Sequence, residues 1–356
     1  MKPEEAVAFL LDGQLLDARD LVRGEVRVED RSARHRSVAV HCTTRTGFFL
    51  KQAPAGDVLG TLASEATFYQ LVNTGSRLAA LRPFVPRLLG YDPTRQLLTL
   101  ELVANASNAR RGTSGADALA EIGPPLGRVL AVCHSAGTGD DPDTRAAFSE
   151  MLPWAFHVAL PSPSLFRDLG PLQLTLIRLV QRHRDIVDRF REMRRAWQWS
   201  SFIHGDVRWS NVLVEEPTSV RLVDWEAAGL GDPAWDVACA FEAWLARGLE
   251  TLELDVGDGP ADASARFAET LPALQHQTRG LWQTYVRTAQ LETEPQRELL
   301  DRATAYTGVR LLQSAYEWSL RRAGFSPFIL LTMQLAVNLL RQSPAARAAV
   351  VGIDPA

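Results

Sequence analysis

Two short stretches hold most of the residues able to do chemistry. The first is His204-Gly205-Asp206-Val207-Arg208-Trp209-Ser210-Asn211; the second, Leu222-Val223-Asp224-Trp225-Glu226, places its Asp thirteen residues beyond Asn211. Asp206 and Asn211 bracket a tight loop between apolar segments, and Asp224 closes an apolar strand, Val220 to Val223. A loop and a strand end brought together in this way aim two carboxylates and one amide at a single point. An acid and an Asn amide are hard oxygen ligands of the kind Mg²⁺ takes alongside phosphate oxygens, and a second carboxylate beside a hydroxyl accepts its proton. The competing reading makes Asp206 and Asn211 ordinary loop residues that form Asx-turns and cap backbone amides. The joint presence of all these positions weighs against it.

A third residue stands out by rarity. Lys occurs only at positions 2 and 51, so Arg supplies the other 36 of the 38 basic residues. A chain that uses Arg wherever it needs a surface cation keeps one compact ammonium beyond its N-terminus, at Lys51, which points to a dedicated role. Chance survival at a strand end is the plainer alternative.

The elements that must carry these residues follow from periodicity. Strands are expected between Arg23 and Lys51: Glu25 to Val28 and Ser37 to Cys42 alternate, and Thr46-Gly47 turns into Phe48-Phe49-Leu50-Lys51. Leu59 to Val72 has helical spacing and sets Glu65 mid-helix; Arg87 to Tyr91 and Leu97 to Val103 read as two more strands joined at Asp92-Pro93. Ala104 to Ala116 is small, polar and Gly-containing, as in a linker or cleft rim. Helices are expected over 118–135, 171–196, 233–248 and in an array over 265–350, with a loop over Glu253 to Ala265. Strand character returns at Phe202-Ile203, Asn211 to Val214 and Arg221 to Asp224. The expected class is α+β: a small β-rich lobe over 1–103, and a larger helical lobe over 104–356 with a hairpin-like insert.

Composition narrows the function classes. The 356 residues are 46% hydrophobic and 22% charged, which excludes disordered, collagenous and membrane classes. The net charge of −4 and pI near 6.0 argue against a nucleic-acid or anionic-membrane partner held by bulk electrostatics. The N-terminus is not built as a signal peptide, and the longest apolar run, Pro327 to Leu340, is broken by Thr332, Gln334 and Asn338. A cytoplasmic protein is expected. Cys42, Cys133 and Cys239 form no CxxC and the seven histidines no HExxH, so neither a disulfide framework nor a protein-ligated zinc is supported.

HGD-x4-N followed by D-x-E resembles the aminoglycoside phosphotransferase and choline kinase group, relatives of the protein kinases, whose loop reads H-R-D-x4-N and whose metal Asp opens D-F-G. The resemblance covers about 20 to 250 and implies a bilobal protein-kinase-like fold. It also implies roles. Lys51, oriented by Glu65, holds the α and β phosphates; Asp206 accepts or orients the acceptor hydroxyl; Asn211 and Asp224 bind Mg²⁺, with Glu226 adding a metal contact. The backbone of Glu101 to Val103 meets adenine at the interlobe hinge, and ATP or GTP is the cofactor. Gly229 to Asp236, GLGDPAWD, looks like the signature that follows, with Asp232 capping a helix begun by Pro233 and Asp236 holding the catalytic loop. Trp225 and Trp235 read as packing. Arg208 stands where Ser/Thr kinases keep a cation near the transferred phosphate, as a γ-phosphate clamp or as a solvated loop residue. The chain departs from the pattern between Gly24 and Gly47, where no glycine occurs. Asp30 to Ser37 replaces the glycine-rich flap, and Ser32, Ser37 and its arginines are candidate phosphate donors.

The acceptor is less legible. Glu242, Glu250, Glu253, Asp255 and Asp258 are candidates to meet a cationic aminoglycoside, or are a solvated face. Trp282, Tyr285, Arg287, Arg310, Tyr316, Trp318, Arg321 and Arg322 enrich the C-terminal helices and read mainly as packing. The wording HGDVRWSNVLV, VDWE, GDPAWDVA and ARAAVVGIDP is most similar to phosphotransferase-like proteins of thioamitide and class V lanthipeptide pathways. That resemblance implies a Ser or Thr of a ribosomally made precursor peptide as acceptor, with a separate lyase as partner. A small-molecule kinase of antibiotic or choline type and a non-catalytic pseudokinase are the alternatives.

Overall fold

The computed structural model describes residues 2–32, 35–54, 60–103, 107–108, 122–161, 169–215, 219–252, 259–320, 324, 326–341, 347–348 and 351–353. Its first half runs α1 (Pro3–Asp12), α2 (Ala18–Arg23), β1 (Val26–Asp30), β2 (Arg36–Cys42), β3 (Phe48–Gln52), α3 (Thr61–Thr74), β4 (Leu88–Asp92), β5 (Leu97–Glu101), β6 (Ser107–Asn108), α4 (Gly123–Ala136) and α5 (Pro142–Ala147). The second half runs α6 (Pro171–Arg182), α7 (Arg184–Ala196), β7 (Ser201–Ile203), β8 (Val212–Glu215), β9 (Ser219–Leu222), β10 (Gly229–Gly231), α8 (Pro233–Glu250), α9 (Pro260–Ala289), α10 (Thr293–Ser319) and α11 (Pro327–Leu340). Two compact units result: Met1–Gly112 with Ser210–Ala228, and Thr113–Trp209 with Gly229–Ala356.

In the first unit, β1, β2, β3, β5 and β4 form one antiparallel sheet in that order. Side chains alternate between faces. Val38, Val40, Phe48 and Leu50 share one face and pack with Ala6 and Leu10 of α1, and with Leu16. The short apolar run at the N-terminus is therefore a sheet cover, started by Pro3 with Glu4 and Glu5 in its first turn. Lys51 is on the opposite face, where the register sets it beside Ser37 of β2 and Leu98 of β5. In α3, Leu62, Ala66, Tyr69 and Val72 are buried on the expected spacing, and so is Glu65. The strand expected to reach Val103 stops at Glu101. Of the expected linker only Ser107 and Asn108 are described; they pair as β6 with β8, and β8 pairs with β9 in a hairpin.

In the second unit, β7 pairs with β10, and helices do the rest. Fifteen of the 18 residues of α8 are buried, so this helix is core on nearly all sides. Close approach of α4 and α9 depends on glycine: a Cβ on Gly123 or Gly127 would run into the backbone carbonyls of Gln277 and Leu281. The single helix expected over 171–196 is two. From Val180 of α6 to Ile186 of α7 the buried positions step by six, out of phase with 3.6, and His183 (φ −93°, ψ 90°) breaks the helix to re-aim the stripe. The loop expected over Glu253 to Ala265 is also corrected. Pro260 opens α9, and the Gly259 amide donates to Asp262 Oδ2 at 2.9 Å, so Pro and an acid in the first turn outweigh the polar composition. Residues 253–258 lie outside the described set. No helix among the described residues is long and apolar enough to cross a membrane. Cys133 and Cys239 are buried and Cys42 is half-buried; all three are free.

Candidate active site

Each unit holds one cluster. In the first, hairpin register does the positioning. Val212 of β8 pairs with Leu222 of β9, so Asn211 and Val223 sit at the open end, and the Val223 amide donates to the Asn211 carbonyl at 3.0 Å. Asp224 follows in the left-handed region (φ 68°), which Asp tolerates better than most residues and which strained functional positions often occupy. The next turn is pinned to α3: the Trp225 ring stacks on Phe68 with centroids 4.0 Å apart, and its amide donates to Glu65 Oε1 at 3.3 Å.

That docking delivers carboxylates to Lys51. Its Nζ lies 2.7 Å from Glu65 Oε2, in contact with Asp224 Oδ1, and 3.6 Å from Glu226 Oε2. Lys51 is 7% exposed and Glu65 1%. Burial alone would push the ammonium down, but Glu65, Asp224 and Glu226 outweigh it and hold Lys51 above its usual range. Burial pushes the Glu65 carboxyl up, with Lys51 opposing. Three carboxylates around one ammonium leave surplus negative charge. Asn211 is 4% exposed, and its Oδ1 accepts from Ser210 Oγ at 3.0 Å.

The second cluster is the loop after β7. Gly205 has φ 83°, a conformation L side chains rarely adopt, and it lets the chain turn back on a buried Asp236. The amides of His204 and Gly205 donate to Asp236 Oδ2 and Oδ1 at 2.7 and 2.9 Å. Asp236 also meets His134 Nε2 at 3.2 Å, and His134 Nδ1 lies 2.9 Å from Tyr285 Oη. Burial would raise the Asp236 carboxyl; His134 and His204 outweigh it and hold the group below its usual range. Trp235 Nε1 donates to the Gly205 carbonyl at 2.9 Å, and Asp232 caps α8 through the Ala234 amide at 3.0 Å. Held from below in this way, the loop presents Asp206. Arg208 Nε lies 2.9 Å from its carboxylate, and Arg208 Nη2 is 3.6 Å from Glu317 Oε1. Arg310 of α10, 3% exposed, reaches Asp206 Oδ1 at 3.6 Å and Glu242 Oε2 at 3.7 Å, while Ser314 Oγ donates to Glu242 at 2.6 Å.

The remaining candidates are placed as follows. Ser32 and Ser37 close the β1–β2 turn: the Ser37 amide donates to Ser32 Oγ at 3.1 Å, and the Arg31 amide to the Ser37 carbonyl at 2.8 Å. At the end of β5 the Glu101 amide goes to the Arg87 carbonyl and the Leu102 amide to the Gly47 carbonyl, both at 2.9 Å, with Val103 following. The Glu101 carboxylate is held by Arg221 at 2.7 Å. Glu242 is buried in an ion pair, and Glu250 is exposed at the end of α8. Arg34, Glu253, Asp255, Asp258, Arg321 and Arg322 lie outside the described residues.

Two participants have no functional role in the sequence reading. Arg310, read there as helix packing, had a signal: it interrupts the apolar run Val309 to Leu312, and a cation on a buried face must meet an anion. His35, whose Nδ1 lies 3.2 Å from Glu226 Oε2, had none beyond its place in the glycine-free turn.

A five-stranded antiparallel sheet with a Lys–Glu pair, and a helical unit carrying an HGD loop, define a kinase-like phosphotransferase fold. The chain belongs to the phosphotransferase enzyme family, whose model matches residues 29–270. Solved structures agree on the fold. Choline kinase LicA from Streptococcus pneumoniae is 14% identical, with 93% of this chain and 99% of that one covered at a TM-score of 0.52. A thermostable mutant of aminoglycoside phosphotransferase APH(4)-Ia, in ternary complex with ADP and hygromycin B, is 13% identical, with 90% and 94% covered at 0.52. A choline/ethanolamine kinase family protein from Mesorhizobium loti is 14% identical, with 92% and 93% covered at 0.51. No curated protein matches the chain in sequence.

Proposed function

We propose that the protein moves the γ-phosphoryl group of ATP, or GTP, to a hydroxyl with Mg²⁺ as cofactor. The observation that carries this is the Lys51 cluster: the one lysine beyond the N-terminus is buried on Glu65 beside Asp224 and Glu226. Phosphoryl transfer asks for positioning and charge neutralisation more than for covalent catalysis. Lys51 is suited to hold the α and β phosphates, fixed by Glu65, and the strand end at Glu101 and Val103 to meet the base. Ser37, beside Lys51 in the sheet register, supports a phosphate-facing role better than Ser32, whose hydroxyl accepts within the turn.

A divalent cation fits the donor set. Asn211, Asp224 and Glu226 are all oxygen donors beside surplus negative charge. An ion of this kind takes one or two carboxylates and completes its shell with phosphate and water. When bound, Mg²⁺ supplies charge neutralisation on the phosphates. Asp206 accepts the acceptor's proton as its oxygen bonds to the γ phosphorus and the bond to the departing nucleoside diphosphate breaks.

For the acceptor we carry forward a Ser or Thr hydroxyl of a precursor peptide, whose product a partner lyase would consume, in the cytoplasm where ATP is at hand. The support is Arg208, held 2.9 Å from Asp206 in the place where peptide kinases keep a cation. A cationic antibiotic or choline-like acceptor is the competing reading, since family and fold fit it equally. The test is calorimetric titration of wild type and Asp224→Ala with ATP and GTP, with and without Mg²⁺, followed by a radiolabelled transfer assay on Ser/Thr peptides, kanamycin and choline. Mg²⁺-dependent binding lost in Asp224→Ala is expected. Binding of neither nucleotide would leave a pseudokinase scaffold, and labelling of kanamycin or choline without any peptide would overturn the peptide reading.

A further inference from the structure

The last turns of α7 carry more positive charge than their surroundings neutralise. Ile186, Phe190 and Met193 are buried and fix the helix by its apolar side, while Arg191, Arg194 and Arg195 stand exposed at i, i+3 and i+4 on a different face. Like charges at that spacing repel; the helix dipole favours cations in a last turn but gives their side chains no partner. The three acids of α7 are engaged elsewhere: Asp185 by Arg341 of α11 at 2.8 Å, Asp188 by Arg191 at 2.6 Å and Glu192 by Arg189 at 3.2 Å. Arg194 and Arg195 meet no carboxylate among the described residues. With half-buried Leu160, these two and Arg191 line an open cleft of about 530 Å³. His157 registers the surplus: burial holds its imidazole below the usual range, and Arg194 pushes in the same direction. The whole chain carries −4, so this is a local concentration of cation and not part of a generally basic surface.

We propose that this cleft docks a short acidic segment of another polypeptide, with carboxylates on Arg194 and Arg195 and an apolar side chain against Leu160. Guanidinium forks match carboxylates two bonds at a time, and the buried face of α7 holds the helix that carries them. A cleft of this size takes a few side chains, and a chain of net negative charge repels a long polyanion, so a peptide is favoured over nucleic acid. None of these residues belongs to the Lys51 or Asp206 cluster, so docking here stands apart from the phosphotransfer reading.

The experiment is fluorescence anisotropy with three labelled probes: a hexapeptide of alternating Glu and Leu, its counterpart with Gln for Glu, and a single-stranded hexameric oligonucleotide. Each is titrated with wild type and with Arg194→Glu/Arg195→Glu at low salt and at about 0.3 M, alongside the melting temperature of both proteins. Wild type should bind the Glu peptide about tenfold or more tightly than the Gln peptide. Charge reversal should remove that difference, and salt should narrow it. Both arginines are exposed, so the melting temperature should hold. Should it fall, Arg194→Gln/Arg195→Gln replaces each cation with an amide, and the same loss of preference is expected. No binding of the Glu peptide, equal binding of the Glu and Gln peptides, or a preference that survives charge reversal overturns the proposal. An oligonucleotide bound as tightly as the Glu peptide and lost in the same variant overturns it too, because the cleft then takes any polyanion.

Discussion

Lys51 is the residue on which site and stability meet. Its ammonium balances Glu65, which is fully enclosed, so Lys51→Met strands a buried carboxylate and should cost about 3–5 kcal/mol in urea unfolding. The double variant Lys51→Met/Glu65→Gln should recover most of that stability and none of the nucleotide affinity, which separates the structural part of the pair from its ligand role. The wild-type pair also has a pH signature. Because the folded state holds Lys51 above its ordinary value, the ammonium's contribution is complete below about pH 10 and is lost as pH rises further, whereas Glu65, pushed up by burial to about 7, works the other way and costs stability as pH rises above about 4.5. Arg310 poses a similar question for Asp206. It is shared between Asp206 and Glu242, and burial already pushes the Glu242 carboxyl up while Arg310 opposes it. In Arg310→Met that opposition is gone, so the folded state favours protonated Glu242 more strongly, and a group with a raised folded pKa loses stability as pH rises above its unfolded value. The stability deficit of Arg310→Met against wild type should therefore be larger at pH 8 than at pH 5, and turnover should fall by about tenfold or more at both, as Asp206 loses one of its two guanidinium neighbours and keeps only Arg208.

The element that supports the HGD loop is the start of α8. Asp236 accepts the His204 and Gly205 amides and meets His134, so Asp236→Ala orphans two buried donors and should destabilise the protein by about 3 kcal/mol, with Asp236→Asn losing less. Its folded carboxyl is held below the ordinary value, so its contribution is present above about pH 4 and is lost as pH falls further. Chemical unfolding at pH 3 and pH 7 should show the gap between wild type and Asp236→Ala narrowing in acid. Legibility in the sequence tracked the range of the forces involved. The GDPAWD stretch announced a cap, a helix start and a loop support, because capping is a local interaction and Asp232 and Pro233 are its ordinary agents. The β1–β2–β3 strands and α3 were equally plain, since alternation and helical spacing are local patterns. The break at His183 and the early start of α9 were not foreseen, although a phase step and an Asp two residues beyond Pro260 were present to be read. His35 against Glu226 lay beyond any spacing argument, because 191 residues of chain separate the two and only the folded hairpin brings them together.

At the scale of the molecule, the chain crosses between its two compact units three times, and the first unit is completed by a segment that arrives about a hundred residues after the rest of it. What that segment supplies is concrete. Trp225 fills the space against Phe68 of α3 and satisfies Glu65, Asp224 and Glu226 stand at the Lys51 ammonium, and Arg221 ties Glu101 to the hairpin. A fragment of residues 1–112 therefore keeps all five sheet strands yet exposes the Trp225 side of α3 and leaves Lys51 with Glu65 alone. Residues 1–112 joined to 210–228 through a short Gly/Ser linker restore those contacts. The linker is cheap, because loop-closure entropy grows only with the logarithm of length and the restored aromatic stack and ion pairs are individually worth about 1 kcal/mol or more. The joined fragment should melt as one cooperative transition by circular dichroism, and the fragment 1–112 should show a broad transition or none. A sharp, equal transition in both would mean that the sheet and α1 stabilise the first unit without the hairpin, and that the contacts of Trp225, Asp224 and Glu226 add little to its cooperativity.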